Sequence, residues 1–239
     1  MLSSAAAWGG PDEAGEHVRI FERCITSTAR AAELHRTDMR HMARSREAAY
    51  IAVPLQFRSA LTRLSKVAHL PQGVVVALIG VNSTKSAFVL SSGAIYVSNA
   101  LWNGDVKLDD AEAAAVVAHE LAHLEFSHVK DRLCHAVASA GDERLLLSAA
   151  TGATHQAIWG GGPHLALPMM QRNHLRELQA DTRAKQMLRE IGMDPGAVAR
   201  MLVKVAGNGG GGFSEFHPAT ETRLENLARK DAAIEGGAR

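Results

Sequence analysis

The chain has 239 residues, enough for one large domain or two small ones, with a core that needs neither metal nor disulfide. A hydrophobic fraction of 46% and a charged fraction of 21% exclude wholesale disorder, collagen and a disulfide-rich miniprotein. Twenty-six basic residues against 25 acidic ones leave a formal charge of +1, which is no footprint for nucleic acid.

The first predicted element is a long amphipathic helix after Pro11. Val18, Phe21, Ile25, Ala29 and Ala32, then Met39 and Met42, recur along it in helical steps. Tyr50 to Pro54 interrupts the pattern, and Phe57, Leu61, Leu64 and Val67 mark a second helix that ends near Pro71. Residues 1–72 thus read as an N-terminal helical arm. The period then changes. Val74 to Ile79, bounded by Gly73 and Gly80, reads as a buried strand. Ala87 to Leu90 and Ala94 to Ser98 are two more strands, joined by the turn Ser91-Ser92-Gly93. Three short strands among many helices predict an α+β architecture with a small three-stranded sheet.

Asp109 and Asp110 cap the next helix, which runs to about His128, and another follows from Asp131. Met170 to Ile191 is helical and stopped by Gly192, and Asp194-Pro195 opens a further helix with Asp as cap. Gly207 to Gly212 reads as a flexible loop, either a lid that carries His217 or only a connector between two helices, and the last helix starts near Pro218.

Cys24 and Cys134 are too far apart for a zinc knuckle or a CxxC pair. Two buried free thiols are the expected state, with a single long-range disulfide as the alternative in an exported chain. No apolar run reaches 18 residues, and the start lacks the regions of a signal peptide. The expected location is cytoplasmic. A removed leader would make it periplasmic or membrane-associated, and peripheral membrane contact stays open.

The chemistry concentrates at His119-Glu120-Leu121-Ala122-His123. Residues four apart on a helix differ by about 40° in azimuth and about 6 Å in height, so both imidazoles can reach one metal ion. Glu120 points about 100° away from His119, placed to hold a water without ligating the metal. Zinc hydrolysis needs that division of labour. The competing reading is two core histidines satisfied by hydrogen bonds. A third ligand is required. His128 does not fit a metzincin pattern, whose Gly and His positions are Phe126 and Val129 here. Glu177, with Asp181 four residues on, can ligate while Asp181 orients a ligand histidine. His174 is the rival on the same helix, and spacing alone leaves both open. Gly80 to Ser86 ends like a P-loop but lacks both glycines, and no GxSxG elbow occurs.

Several ordered signals together resemble the M48 zinc metallopeptidases, the HtpX-, Ste24- and Oma1-like group. They are Ala118 to His123, Glu177-Leu178-Gln179-Ala180-Asp181, Gly192-Met193-Asp194-Pro195, and His217-Pro218-Ala219-Thr220-Glu221-Thr222-Arg223. The resemblance runs from about Gly73 to Arg229 and implies a bare catalytic domain at 73–239. It implies one zinc per chain on His119, His123 and Glu177, with Glu120 as general base, and a polypeptide substrate, unfolded or extended. It points to His217 as an oxyanion donor or a cap on the open zinc position. Asp181 would orient a ligand, and Arg223 would hold the local carboxylates.

Ala87 and Phe88 match the family's substrate-binding edge strand. Ser86 stands where the family has Asn, and Ser92-Gly93 where it has Gly-Gly; ordinary sheet core is the competing reading of Phe88. The implied activity is endopeptidase hydrolysis, with protein quality control as the implied role. The alternative is a catalytically silent, zinc-bound chaperone or adaptor, for which an intact Glu120 would be superfluous.

Overall fold

The computed structural model describes residues 11–26, 50–82, 87–90, 93–103, 106–140, 163–207 and 217–236. Two compact units share the chain. One comprises Met1–Ser45 and His128–Arg172, the other Arg46–Ser127 and Asn173–Arg239. Among the described residues no helix is long and apolar enough to cross a membrane.

The second unit holds the sheet. Strands β1 (Tyr50–Ile51), β2 (Ala77–Val81), β3 (Ala87–Val89) and β4 (Ala94–Ser98) lie in the order β1-β2-β4-β3. β2 and β4 run parallel, and the two outer pairings are antiparallel. All three expected strands are present, and the two-residue β1 adds a fourth at one edge. The strand expected at Val74 to Ile79 is displaced to Ala77–Val81, and Gly80 lies inside it rather than ending it. Physical contact explains the shift. A side chain at Gly80 would meet Ile51 O at 2.4 Å, so glycine is what lets β1 approach. Val75, meanwhile, is 78% exposed ahead of the strand. Gly93, at φ +93°, turns β3 back onto β4 as expected.

Helix α2 (Leu55–Leu64) packs Phe57, Ala60 and Leu64 against α3 (Asp110–Glu125). The start of α3 is fixed by a capping box: Asp109 Oδ1 accepts from Glu112 N at 2.8 Å, and Glu112 Oε2 accepts from Asp109 N at 2.9 Å. From Glu112 to Ala122 every residue of α3 is buried, so this helix is enclosed on all sides. Small side chains at Ala113, Ala114, Ala115 and Ala118 permit that close packing.

Helix α5 (Pro163–Glu190) begins earlier than the expected Met170 and contributes to both units. Gly192, at φ +68°, ends it in a Schellman motif, with Met193 N donating to Leu188 O and Gly192 N to Arg189 O. In α6 (Ala197–Val205) the regular turns start after Gly196, and Asp194 accepts from Gly196 N in the turn before it. Helix α7 (Thr220–Gly236) packs on α6. The glycine segment up to Gly212 falls mostly outside the described residues, and with it the lid expectation.

In the first unit, α1 (Pro11–Thr26) packs on α4 (His128–Ala140). The expected stretch of α1 beyond Thr26 lies outside the described residues. Cys24 and Cys134 form a disulfide across this pair with a Cα–Cα distance of 5.6 Å, which corrects the expectation of free thiols. Spacing in sequence carries no information about this approach. The inward faces of two packed helices create it, with Cys24 one turn past the buried Ile20.

Candidate metal centre

α3 and α5 bring three side chains to one point. His119 Nε2 lies 3.1 Å from His123 Nε2 and 3.4 Å from Glu177 Oε2, and His123 Nε2 lies 3.3 Å from Glu177 Oε1. Among the described residues this trio is the group of potential ligands that converges tightly enough to hold a metal ion. His174 is not part of it, and His128 opens α4 in the other unit.

The triangle fits a tetrahedral ion. Ligand atoms at 2.0–2.1 Å from a tetrahedral zinc stand about 3.3 Å from one another. The chemistry of the donors agrees, since two imidazole nitrogens and one carboxylate oxygen are an ordinary zinc set. Glu177 Oε2 is buried without a hydrogen bond of regular geometry, though Arg223 and His217 lie near it.

A second layer surrounds the trio. His119 Nδ1 lies 3.0 Å from Asp181 Oδ1, so the ring offers its other nitrogen to the cluster. Arg223, in the first turns of α7, grips Asp181 with a fork: Nε donates to Oδ2 at 2.7 Å and Nη2 to Oδ1 at 2.6 Å. Its Nη1 lies 3.4 Å from Glu177 Oε2. His217, 54% exposed, places Nδ1 3.0 Å from the same oxygen.

The buried carboxylates, histidines and guanidinium shift one another's proton affinities. Burial would lower the pKa of His119, but Asp181 and Glu177 beside it raise it to about 10. Burial pushes the Glu177 carboxyl up, yet His119, His123 and His217 hold it well below the ordinary value. Asp181 is likewise held low against its burial, by Arg223 and then His119. Glu120 moves the other way, because burial outweighs its histidine neighbours and raises its pKa.

β3 is the outer strand on one side of the sheet and packs against α3. Ala87 and Phe88 lie on it. The Phe88 ring stacks on Tyr96, with centroids 4.9 Å apart, and so packs on its own sheet. Leu90 N donates to Ala94 O, and in an antiparallel pair the alternation turns the amides of Ala87 and Val89 to the free edge. Sequence patterning does not single out Val89, which only strand register could mark.

Comparison with known proteins matches residues 55–231 to the model of peptidase family M48. The chain belongs to that family. The match takes in α2, which the hydrophobic pattern assigns to the arm. This M48 chain is 27% identical to the Metalloprotease LoiP of Escherichia coli (strain K12) over 157 residues, 62% of this chain and 59% of that protein. It is similar in fold to Ste24p of S. mikatae, whose crystal structure it matches at a TM-score of 0.54 and 13% identity. That match covers 90% of this chain and 61% of Ste24p. The M48 chain thus spans about three-fifths of the length of each.

Proposed function

We propose that this protein is a zinc-dependent endopeptidase acting on extended polypeptide. The observation that carries the reading is the tight triangle of His119, His123 and Glu177 on the helix pair that also bears Glu120. His119, His123 and Glu177 would hold one zinc ion per chain, which supplies Lewis acidity to polarise the scissile carbonyl and acidify a water.

The chain's own residues divide the remaining work. Glu120 accepts the proton of the attacking water and hands it to the leaving amine. His217 donates to the carbonyl oxygen as charge develops there, and Asp181 holds the tautomer of His119. Arg223 fixes Asp181 and offsets the carboxylate charge. An extended substrate adds to the free edge of β3, bonded to the amides of Ala87 and Val89, with Phe88 supporting the strand from behind.

We assign the catalytic domain a start at β1 and α2, ahead of the residue 73 that hydrophobic patterning suggests, and confine the arm to the residues before them. Folded proteins seldom present an extended segment to a strand edge, so unfolded chains and a quality-control role fit this geometry best. The disulfide favours an oxidising compartment such as the periplasm over the cytoplasm.

Glu120→Gln tests the reading. The variant should keep its metal and fold while casein cleavage falls by about 10²–10⁴-fold, because Gln cannot accept a proton. Equal cleavage by wild type and variant would overturn the mechanism. Suppressed aggregation of a client protein, with no cleavage by either form, would establish the silent chaperone instead.

A further inference from the structure

We infer that the Arg183–Glu125 ion pair is a positioning device for the metal centre: it fixes α5 against α3 so that the three ligands already stand together when an ion arrives. This role rests on the zinc reading and extends it to two residues whose hydrogen bonds reach none of the ligands.

The triangle draws its corners from two helices, His119 and His123 on α3 and Glu177 on α5. Its size therefore depends on how α5 lies against α3. Glu125 follows His123 by two residues, and Arg183 follows Asp181 by two. Two residues on a helix differ by about 200° in azimuth and about 3 Å in height. On each helix the pair thus leaves from the flank roughly opposite that of His123 or Asp181, within a turn of it. All these groups belong to the second unit.

The bond is suited to holding position. Arg183 Nε donates to Glu125 Oε1 at 2.8 Å and Nη2 to Oε2 at 3.3 Å, a two-point fork. Both side chains are nearly buried, at 7% and 11% exposure. The same groups tie in a third segment, just after α2. Nη2 also donates to Val67 O at 3.0 Å, and Glu125 Oε2 accepts from His69 N at 3.0 Å. Within α5, Nη1 donates to Glu190 Oε1 at 2.9 Å and steadies the guanidinium plane. A planar fork sets distance and orientation together, which an ammonium cannot do.

No ligand atom takes part in these bonds, so they hold with or without an ion. Metal–ligand distances are specified to about 0.2 Å, and a site left about 1 Å loose performs poorly. With the ligands on one flank and the fork on the other, rotation and sliding of α5 along α3 are restrained from two sides. Without the fork Glu177 would drift from the histidines, and reassembling the triangle would consume part of the binding free energy.

Zinc affinity of the full chain, read by chelator competition, tests the role in wild type, Arg183→Lys, Glu125→Gln and the double variant. Arg183→Lys keeps the charge and loses the fork, so a change in local charge cannot explain its effect. Each single variant should bind zinc about 10-fold more weakly. The double variant should bind no more weakly than the weaker single, because both changes break one fork. Lys204→Met is the control. It removes the 2.6 Å Lys204–Glu112 pair at the far end of α3, seven residues before His119, and should leave affinity within about 2-fold. If one single variant does not fold, the other carries the test. Wild-type affinity in the folded singles, even with a lower urea midpoint, would show that packing alone sets the spacing and would overturn the role. An equal loss in Lys204→Met would overturn it as well, since general destabilisation would then account for the effect. Failure of the zinc reading gives a different result, in which wild type itself binds no zinc and both fall together.

Discussion

The metal centre and the Cys24–Cys134 disulfide both tie distant parts of the chain together, and they do so by opposite means. At the centre, His119, Glu177, Asp181 and Arg223 share charge among several contacts, each near 3 Å. At the disulfide, one covalent bond joins two helices, α1 and α4, that also pack on each other. The shared network should fail by degrees that depend on which group is removed. A single covalent bond is lost in one step.

The largest effect is expected at Arg223. Removing it leaves Asp181 and Glu177 buried without their cation, and breaking a buried pair in this way costs about 3–5 kcal/mol. Arg223→Met should lower the urea midpoint accordingly, while Arg223→Lys should recover only part, because Lys lacks the fork. A loss below about 1 kcal/mol would mean that the network does not bear on stability.

Asp181→Asn comes next. It keeps the shape but loses the charge that orients His119, so metal affinity should weaken by about 10–100-fold in a chelator competition. Affinity equal to wild type would remove Asp181 from the centre.

Two smaller effects concern the end of α3. Ser127 has φ 55°, in the region that disfavours side chains, so Ser127→Gly should stabilise the protein by about 1 kcal/mol in thermal unfolding. No gain would mean that the Ser127 side chain offsets its strain. The smallest effect is a pH dependence at Glu125. Burial raises its pKa, but Arg183 at 2.8 Å and the His69 amide lower it below the ordinary 4.5. A depressed carboxyl contributes stability that is fully present above 4.5 and disappears as pH falls through the lower folded value. The stability advantage of wild type over Glu125→Gln should therefore shrink below about pH 4.5. A constant difference from about pH 6 to about 3.5 would refute the assignment.

The same contrast explains what the sequence made legible. His119 and His123, or Glu177 and Asp181, are four residues apart on single helices, so helical geometry alone puts each pair on one face. Asp109 likewise announces the start of α3 as a cap, though its box with Glu112 shows only in the structure. Pairings across long stretches are not legible. Cys24 with Cys134, Arg183 with Glu125 and Lys204 with Glu112 depend on helix docking that no local pattern encodes. β1 escapes notice because two residues cannot display a period, and Gly80 resembles a strand end because a close backbone neighbour is invisible in sequence.

The enclosure of α3 has a consequence for how this protein could diversify. A helix with neighbours on every side from Glu112 to Ala122 offers almost no room for a larger side chain, and overpacking costs about 1–3 kcal/mol. Random mutagenesis should find that stretch nearly intolerant, including alanines that touch no ligand. Heritable change in preference must then arise on elements with open sides, β3 and the solvent-facing positions of α5 and α7. The enclosed helix acts as the fixed frame against which those surfaces can drift.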